Sequence, residues 1–221
     1  MIALALKLLR DELSDYIDQN KRSGDGITNA GIILGNIALM DTDDTGAFND
    51  KVILTLVNTE EESTLKNGSH IIKTNTGVQY VEPPIHLNLY ILISATLKEN
   101  PSSDNYQFAL HRISLVLQFF QAKKSFTVQN SPFSTVSSDQ SGIEDDWITN
   151  ELRDELKLNV ELYTLTFEQI NHLWGSLGGK QVPFAMYKVR LVKIQETSGI
   201  EAPVIEEIKN KVLVTNAECD E

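Results

Sequence analysis

The chain is short of cysteine, of positive charge and of long apolar runs, and each shortage removes a class of structure or function. One of its 221 residues is cysteine, Cys219, so neither an intrachain disulfide nor a thiolate metal cluster can be built. Nineteen lysines and arginines stand against 31 aspartates and glutamates, leaving a formal charge of −12. A surface of that sign is unsuited to general binding of nucleic acid, whose non-specific affinity comes from neutralised phosphates, and to an anionic membrane surface. No run of about 18 apolar residues occurs, so nothing is predicted to span a bilayer. Met1 to Arg10 is apolar but lacks a basic leading region, and Lys7 interrupts it, which predicts a helix in place of a signal peptide.

What is present suffices for a core. Hydrophobic residues make up 41% and charged residues 23%, the balance of a globular domain and not of a disordered polymer. Ile2, Leu6, Leu9, Leu13, Tyr16 and Ile17 recur at helical spacing. Strands are predicted over Gly31 to Met40 and Lys51 to Asn58, the second ended by Glu60, Glu61 and Glu62. From His86 to Leu97, Leu87, Leu89, Ile91 and Ile93 alternate with Tyr90 and Leu92, the pattern of a central strand buried on both faces. A helix over about Asn105 to Ala122 carries Ala109, Ile113, Val116, Leu117 and Phe120 as its inward stripe.

Short strands follow at Ser125 to Gln129 and Leu156 to Leu165, separated by a Ser-rich acidic loop from Ser131 to Asp146. Thr166 and Gln169 form a capping box that opens a helix with Ile170, Leu173, Trp174 and Leu177 on its stripe, and Gly178-Gly179 closes it. Val182 to Gln195 reads as the last long strand. The order predicts an α/β (α+β) domain in which helices pack on a mixed sheet. Two regions are expected, residues 1–199 as this domain and 200–221 as an acidic C-terminal extension, within which Lys209 to Asn216 could add a strand to a neighbour.

The search for a reaction centre finds none. Asp41, Asp43 and Gly46 fit part of a calcium loop, but the position of its bidentate glutamate is Val52. Gly175 to Lys180 fits part of a phosphate loop, yet it follows a helix where a phosphate loop opens one. The four histidines are scattered without ligand spacing. Neighbouring acids on an extended segment alternate in direction and do not converge on one substrate. No cofactor, metal site, small-molecule substrate or catalytic residue is therefore expected.

Four stretches, taken in order, carry a resemblance. They are Leu56-Val-Asn-Thr-Glu-Glu-Glu-Ser-Thr-Leu-Lys-Asn67, Pro83-Pro-Ile-His-Leu-Asn-Leu-Tyr-Ile-Leu-Ile-Ser-Ala95, Tyr106-Gln-Phe-Ala-Leu-His-Arg-Ile-Ser-Leu-Val-Leu-Gln-Phe-Phe-Gln121, and Leu173-Trp-Gly-Ser-Leu-Gly-Gly-Lys180 with Tyr187-Lys-Val-Arg190. The set resembles the cap, or tail-terminator, proteins of phage-tail-like extracellular contractile injection systems, and it runs from the first helix to about Ile194.

The resemblance implies a non-enzymatic protein that closes the end of the inner tube and contractile sheath as a homohexameric ring and stops their polymerisation. It implies sheath and inner-tube proteins as partners, assembly in the cytoplasm, and residence in a virion-like particle that can be released. Glu60, Glu61, Glu62, Lys66 and Asn67 are the expected ring or sheath contacts, because a polar run within a family motif needs a reason other than burial. Trp174 is the apolar candidate for the same role. Six copies of so acidic a chain repel one another, which places the remaining acids in the Ser131 to Asp146 loop and the tail, away from the ring's own contacts. The reading from a different class is a soluble α/β protein-binding adaptor outside any tail.

Overall fold

The computed structural model describes residues 1–20, 31–42, 45–65, 71–73, 78–80, 82–97, 103–127, 129–131, 156–194 and 200–202. The chain divides into two compact units. One is Met1–Lys66 with Ile85–Ile194, the other Asn67–Pro84 with Gln195–Glu221. The sequence reading puts one boundary at 199/200; the chain's own contacts divide it at 194/195 and group Asn67–Pro84 with the C-terminal residues.

The larger unit is built on a six-stranded sheet whose strands are β1 (Ile32–Leu34), β2 (Val52–Glu61), β5 (Ile85–Ala95), β8 (Phe184–Ile194), β7 (Lys157–Leu162) and β6 (Ser125–Thr127), in that spatial order. β1 runs parallel to β2 and every other pair is antiparallel, so the sheet is mixed. The helices are α1 (Ile2–Asn20), α2 (Ser103–Ala122) and α3 (Phe167–Ser176). The smaller unit holds a three-stranded antiparallel sheet of β3 (Ile71–Lys73), β4 (Val78–Tyr80) and β9 (Ile200–Ala202), with β4 in the middle.

β5 is the strand whose two faces the sequence marked as apolar, and it separates two cores. On one face Leu89, Ile91 and Ile93 pack with Leu8, Leu9 and Leu13 of α1 and Val116 of α2. On the other, Leu92 packs with Ile53, Met186 and Trp174 of α3. Each such side chain taken fully out of water contributes about 2 kcal/mol, so both layers are anchored through this strand. Aromatic rings stitch the first layer together: Phe119 meets Tyr16 at 5.3 Å and Phe126 at 5.6 Å, and Phe120 meets Tyr187 at 4.5 Å.

Two buried charges tie the helices down. Glu12 on α1 is only 5% exposed and accepts both of its hydrogen bonds from Lys123 Nζ, at 2.8 and 2.6 Å. That ammonium also donates to the Asn130 carbonyl and sits 5.0 Å above the Phe126 ring. Arg112 of α2, 1% exposed, pairs with Asp50 at 2.7 Å, where the backbone turns through a φ of 58°.

Several boundaries differ from the sequence reading, each for a local reason. The expected strand from Gly31 to Met40 stops at Leu34, and Ile37–Thr42 is a 3₁₀ turn. Thr55 causes the departure: its hydroxyl donates to the Gly35 carbonyl at 2.8 Å and accepts from the Ile37 N–H at 3.1 Å, lifting the chain off the sheet. β2 does not end before its acids, because its pairing with β5 continues to Glu61 opposite Leu87. β6 ends at Thr127, where Thr127 and Asn130 exchange side-chain bonds in a tight turn, and β7 ends at Leu162. On α1 the buried side chains include Leu4, Ala5 and Leu8, whereas Ile2, Leu6 and Tyr16 are partly buried. On α2, Leu117 faces outward at 39% exposure and not into the core. The Ser23-Gly24 breaker, the Asn67-Gly68 turn, the acidic loop beyond Ser131 and the Lys209 to Asn216 strand lie outside the described residues.

Candidate assembly surface

On the second face of the sheet, α3 and the 3₁₀ turn pack against apolar side chains. Further along that face, β2, β5, β8 and β7 carry a row of polar and charged side chains. A β-bulge decides which acids join this row. Between Leu56 and Asn58 the register of β2 against β5 slips by one residue at Val57. In a strand of period two, such a slip sends the following side chains to opposite faces. Asn58 therefore opposes Tyr90 and Glu60 opposes Asn88, and the even-numbered acids turn to the polar face while Glu61 turns away.

The row is a connected network. Tyr90 Oη donates to Glu60 Oε2 at 2.7 Å. Lys188 Nζ lies 3.9 Å from the same carboxylate and 5.4 Å above the Tyr90 ring, and the ring meets Tyr163 edge-on at 5.0 Å. Glu62 Oε2 accepts from Asn88 Nδ2 at 3.0 Å and from Arg190 Nη2 at 3.4 Å, while Oε1 accepts from the Thr64 hydroxyl at 2.9 Å. Arg190 Nη1 reaches on to Glu161 Oε1 at 3.6 Å. The Lys188-Val-Arg190 alternation of β8 thus sets two cations on one face, Lys188 beside Glu60 and Arg190 between Glu62 and Glu161.

Hydrogen bonding governs the protonation of these groups. Glu62 is held down to about 2, first by the Asn88 amide, then by the Thr64 hydroxyl and N–H, with Arg190 adding to the effect. The Tyr90 hydroxyl is raised above its usual range, chiefly because its proton is committed to Glu60. On the opposite face burial alone pushes Tyr187 up to about 12. Two polar atoms of the row, Asn88 Oδ1 and Arg190 Nε, are buried with no hydrogen-bond partner among the described residues.

The sequence-expected contacts separate accordingly. Glu60 and Glu61 are exposed, and Glu62 is drawn into its own chain's network. Lys66 and Asn67 lie outside the described residues. Trp174, at 4% exposure, packs edge-on against Phe184 at 5.4 Å in the second core. The contact role expected of it is corrected on physical grounds, since a partner cannot reach a ring that the core already covers. Tyr90, Lys188, Arg190 and Glu161 belong to the same polar row and do not stand out in the sequence reading; the alternating Lys188-Val-Arg190 on a strand was the available signal.

The weaker motifs resolve as turns. Gly178 and Gly179 adopt φ of 100° and 82°, and Gly179 N–H bonds back to the Trp174 carbonyl at 2.7 Å, which makes the glycine run a helix cap. Gly46, at φ 69°, sits in a turn whose carbonyl accepts from Asn49. Among the described residues no three histidine, cysteine or acidic side chains are grouped to hold a metal ion, and no helix is long and apolar enough to cross a membrane.

Residues 5–207 match the sequence profile of the Pvc16 N-terminal domain. No curated protein matches the chain at significant similarity. The fold is similar to that of the sheath/tube terminator of an extracellular contractile injection system, PVC, solved in the extended state, with a TM-score of 0.54 and 13% identity over 96% of this chain. This chain spans 64% of that protein's length. The tube-terminating cap of the anti-feeding prophage superposes with a TM-score of 0.48 and 13% identity over 76% of this chain and 51% of the other.

Proposed function

Because this chain belongs to the Pvc16 N-terminal domain family, we propose that it is a terminator of a contractile injection system, a structural cap that assembles as a ring at the end of the inner tube and sheath and stops both from growing. The observation that carries this reading is the family match over residues 5–207. The α+β fold shared with a sheath/tube terminator is consistent with it.

The physics of termination sets what the surface must do. A tube or sheath subunit adds head to tail, offering a new mating surface each time, so growth ends only when a subunit binds one surface and withholds the other. The polar sheet face suits the binding side of such a cap. Its cations, Lys188 and Arg190, stand beside Glu60, Glu62 and Glu161. A surface of fixed, paired charges recognises a complementary polar surface with little reorganisation, and like-charged alternatives are rejected. The partners on this reading are sheath and inner-tube proteins, the oligomer is a homohexamer, and the place of action is the particle itself. No reaction is assigned to it.

Deleting the gene from a strain that makes the particle should leave tubes absent or of uncontrolled length in negative-stain images, with wild-type length restored by the intact gene. Restoration should fail with a Glu60→Gln chain that is expressed and folded. Particles of normal length from the deletion strain would overturn the reading.

A further inference from the structure

We propose that the outer face of α2 is a contact through which one copy of this chain binds the next. The inference rests on the ring reading above and names a surface for it. Tyr106, Leu110, Ile113 and Leu117 follow one another at spacings of four, three and four residues, the seam along which one helix packs against another element. In the folded chain Tyr106 is 50% and Leu110 44% exposed, and with Leu117 they form one stripe within 40° of the helix circumference at 100° per residue. Only Ile113, at the stripe's inner border, is buried by the chain's own core.

Charge identifies the occupant. The exposed side chains flanking the stripe are Gln107, Ser114, Gln118 and Gln121, so among the described residues this outer face carries no charge from Tyr106 to Gln121. In a chain of net charge −12, that is where a second copy can approach without like-charge repulsion, and depletion of charge is the mark of an interface core. The face lacks the lysines and arginines that a helix lying on an anionic membrane presents. A strongly basic partner would find nothing on it to pair with.

Ring contacts join unlike patches. The most exposed large apolar side chain described in the same unit is Phe167, at 89%, in the first turn of α3. It is assigned as the patch that the stripe of the neighbouring copy meets.

Sedimentation velocity on the full chain over rising concentration tests this. The wild type should associate, whereas Leu110→Glu/Leu117→Glu and Phe167→Glu should each remain monomeric with unchanged far-ultraviolet circular dichroism. An equimolar mixture of the two variants should give a species of dimer mass and nothing larger, because each supplies one intact patch. If the glutamates unfold the chain, Leu110→Gln/Leu117→Gln serves in their place. A wild-type chain that stays monomeric, or a folded stripe variant that associates like the wild type, overturns the contact; a mixture without dimers overturns the pairing with Phe167. The ring reading itself is judged separately, by particle length in the deletion strain.

Discussion

Replacing Lys123 with methionine isolates the cost of a buried charge left alone. Methionine keeps an apolar stem of similar shape, one atom shorter, and lacks the ammonium, so the main change is electrical. Glu12 loses both hydrogen bonds, at 2.8 and 2.6 Å, in a site where it is 5% exposed. Breaking a buried pair from one side costs about 3–5 kcal/mol. Lys123 is itself 28% exposed, so water can enter where the ammonium stood, and the low end, about 3 kcal/mol, is expected. For a domain of this size that corresponds to a fall in Tm of about 6–12 °C.

Removing both charges, as Glu12→Leu/Lys123→Met, should return stability to within about 1 kcal/mol of wild type, because neither desolvated ion remains. Urea denaturation followed by circular dichroism, run as a double-mutant cycle, reads both numbers. A single variant within about 1 kcal/mol of wild type, or a double variant as unstable as the single, would refute the account. The functional stake is α1: this pair joins it to the end of α2 and so holds the layer behind β5 in place.

Glu62 gives a pH dependence. Its folded value of about 2 lies below the ordinary carboxyl value of 4.5, so the stability it supplies is present above about pH 4.5 and is lost as the pH falls toward 2. Unfolding midpoints should therefore drop across that window in the wild type and less steeply in Glu62→Gln; equal slopes would show that the carboxylate is not held by Asn88 and Thr64. At α3, Thr166 accepts from Gln169 N–H and the Gln169 side chain accepts from Thr166 N–H. Thr166→Ala should cost about 1 kcal/mol, read by thermal melting, and a loss below a few tenths would mean the cap is redundant.

How much of the fold and of the site is written in the sequence depends on the range of the interaction. Period-two alternation marked β5 as buried on both faces, and Leu89, Ile91 and Ile93 do fall in one core with Leu92 in the other. The capping box of Thr166 and the glycine cap at Gly178-Gly179 appear as read, since each is decided within a few residues. The glutamate run was visible as a run. Its partners were not, because Arg190 reaches Glu62 across 128 positions of sequence.

By itself the sequence determined the class of the chain. Its charge, its lone cysteine and the periods of its apolar residues fixed an acidic α+β domain with a mixed sheet, and four ordered stretches pointed to the family. Only the tertiary structure decided which acids join the polar row of the sheet, that Trp174 is core and which leucines of α2 are left outside. The bulge at Val57 is the clearest instance: one extra residue in β2, set by its register against β5, turns Glu60 and Glu62 to the polar face and Glu61 away. No local propensity encodes that choice, because both arrangements satisfy the same strand backbone and only the neighbouring strands distinguish them.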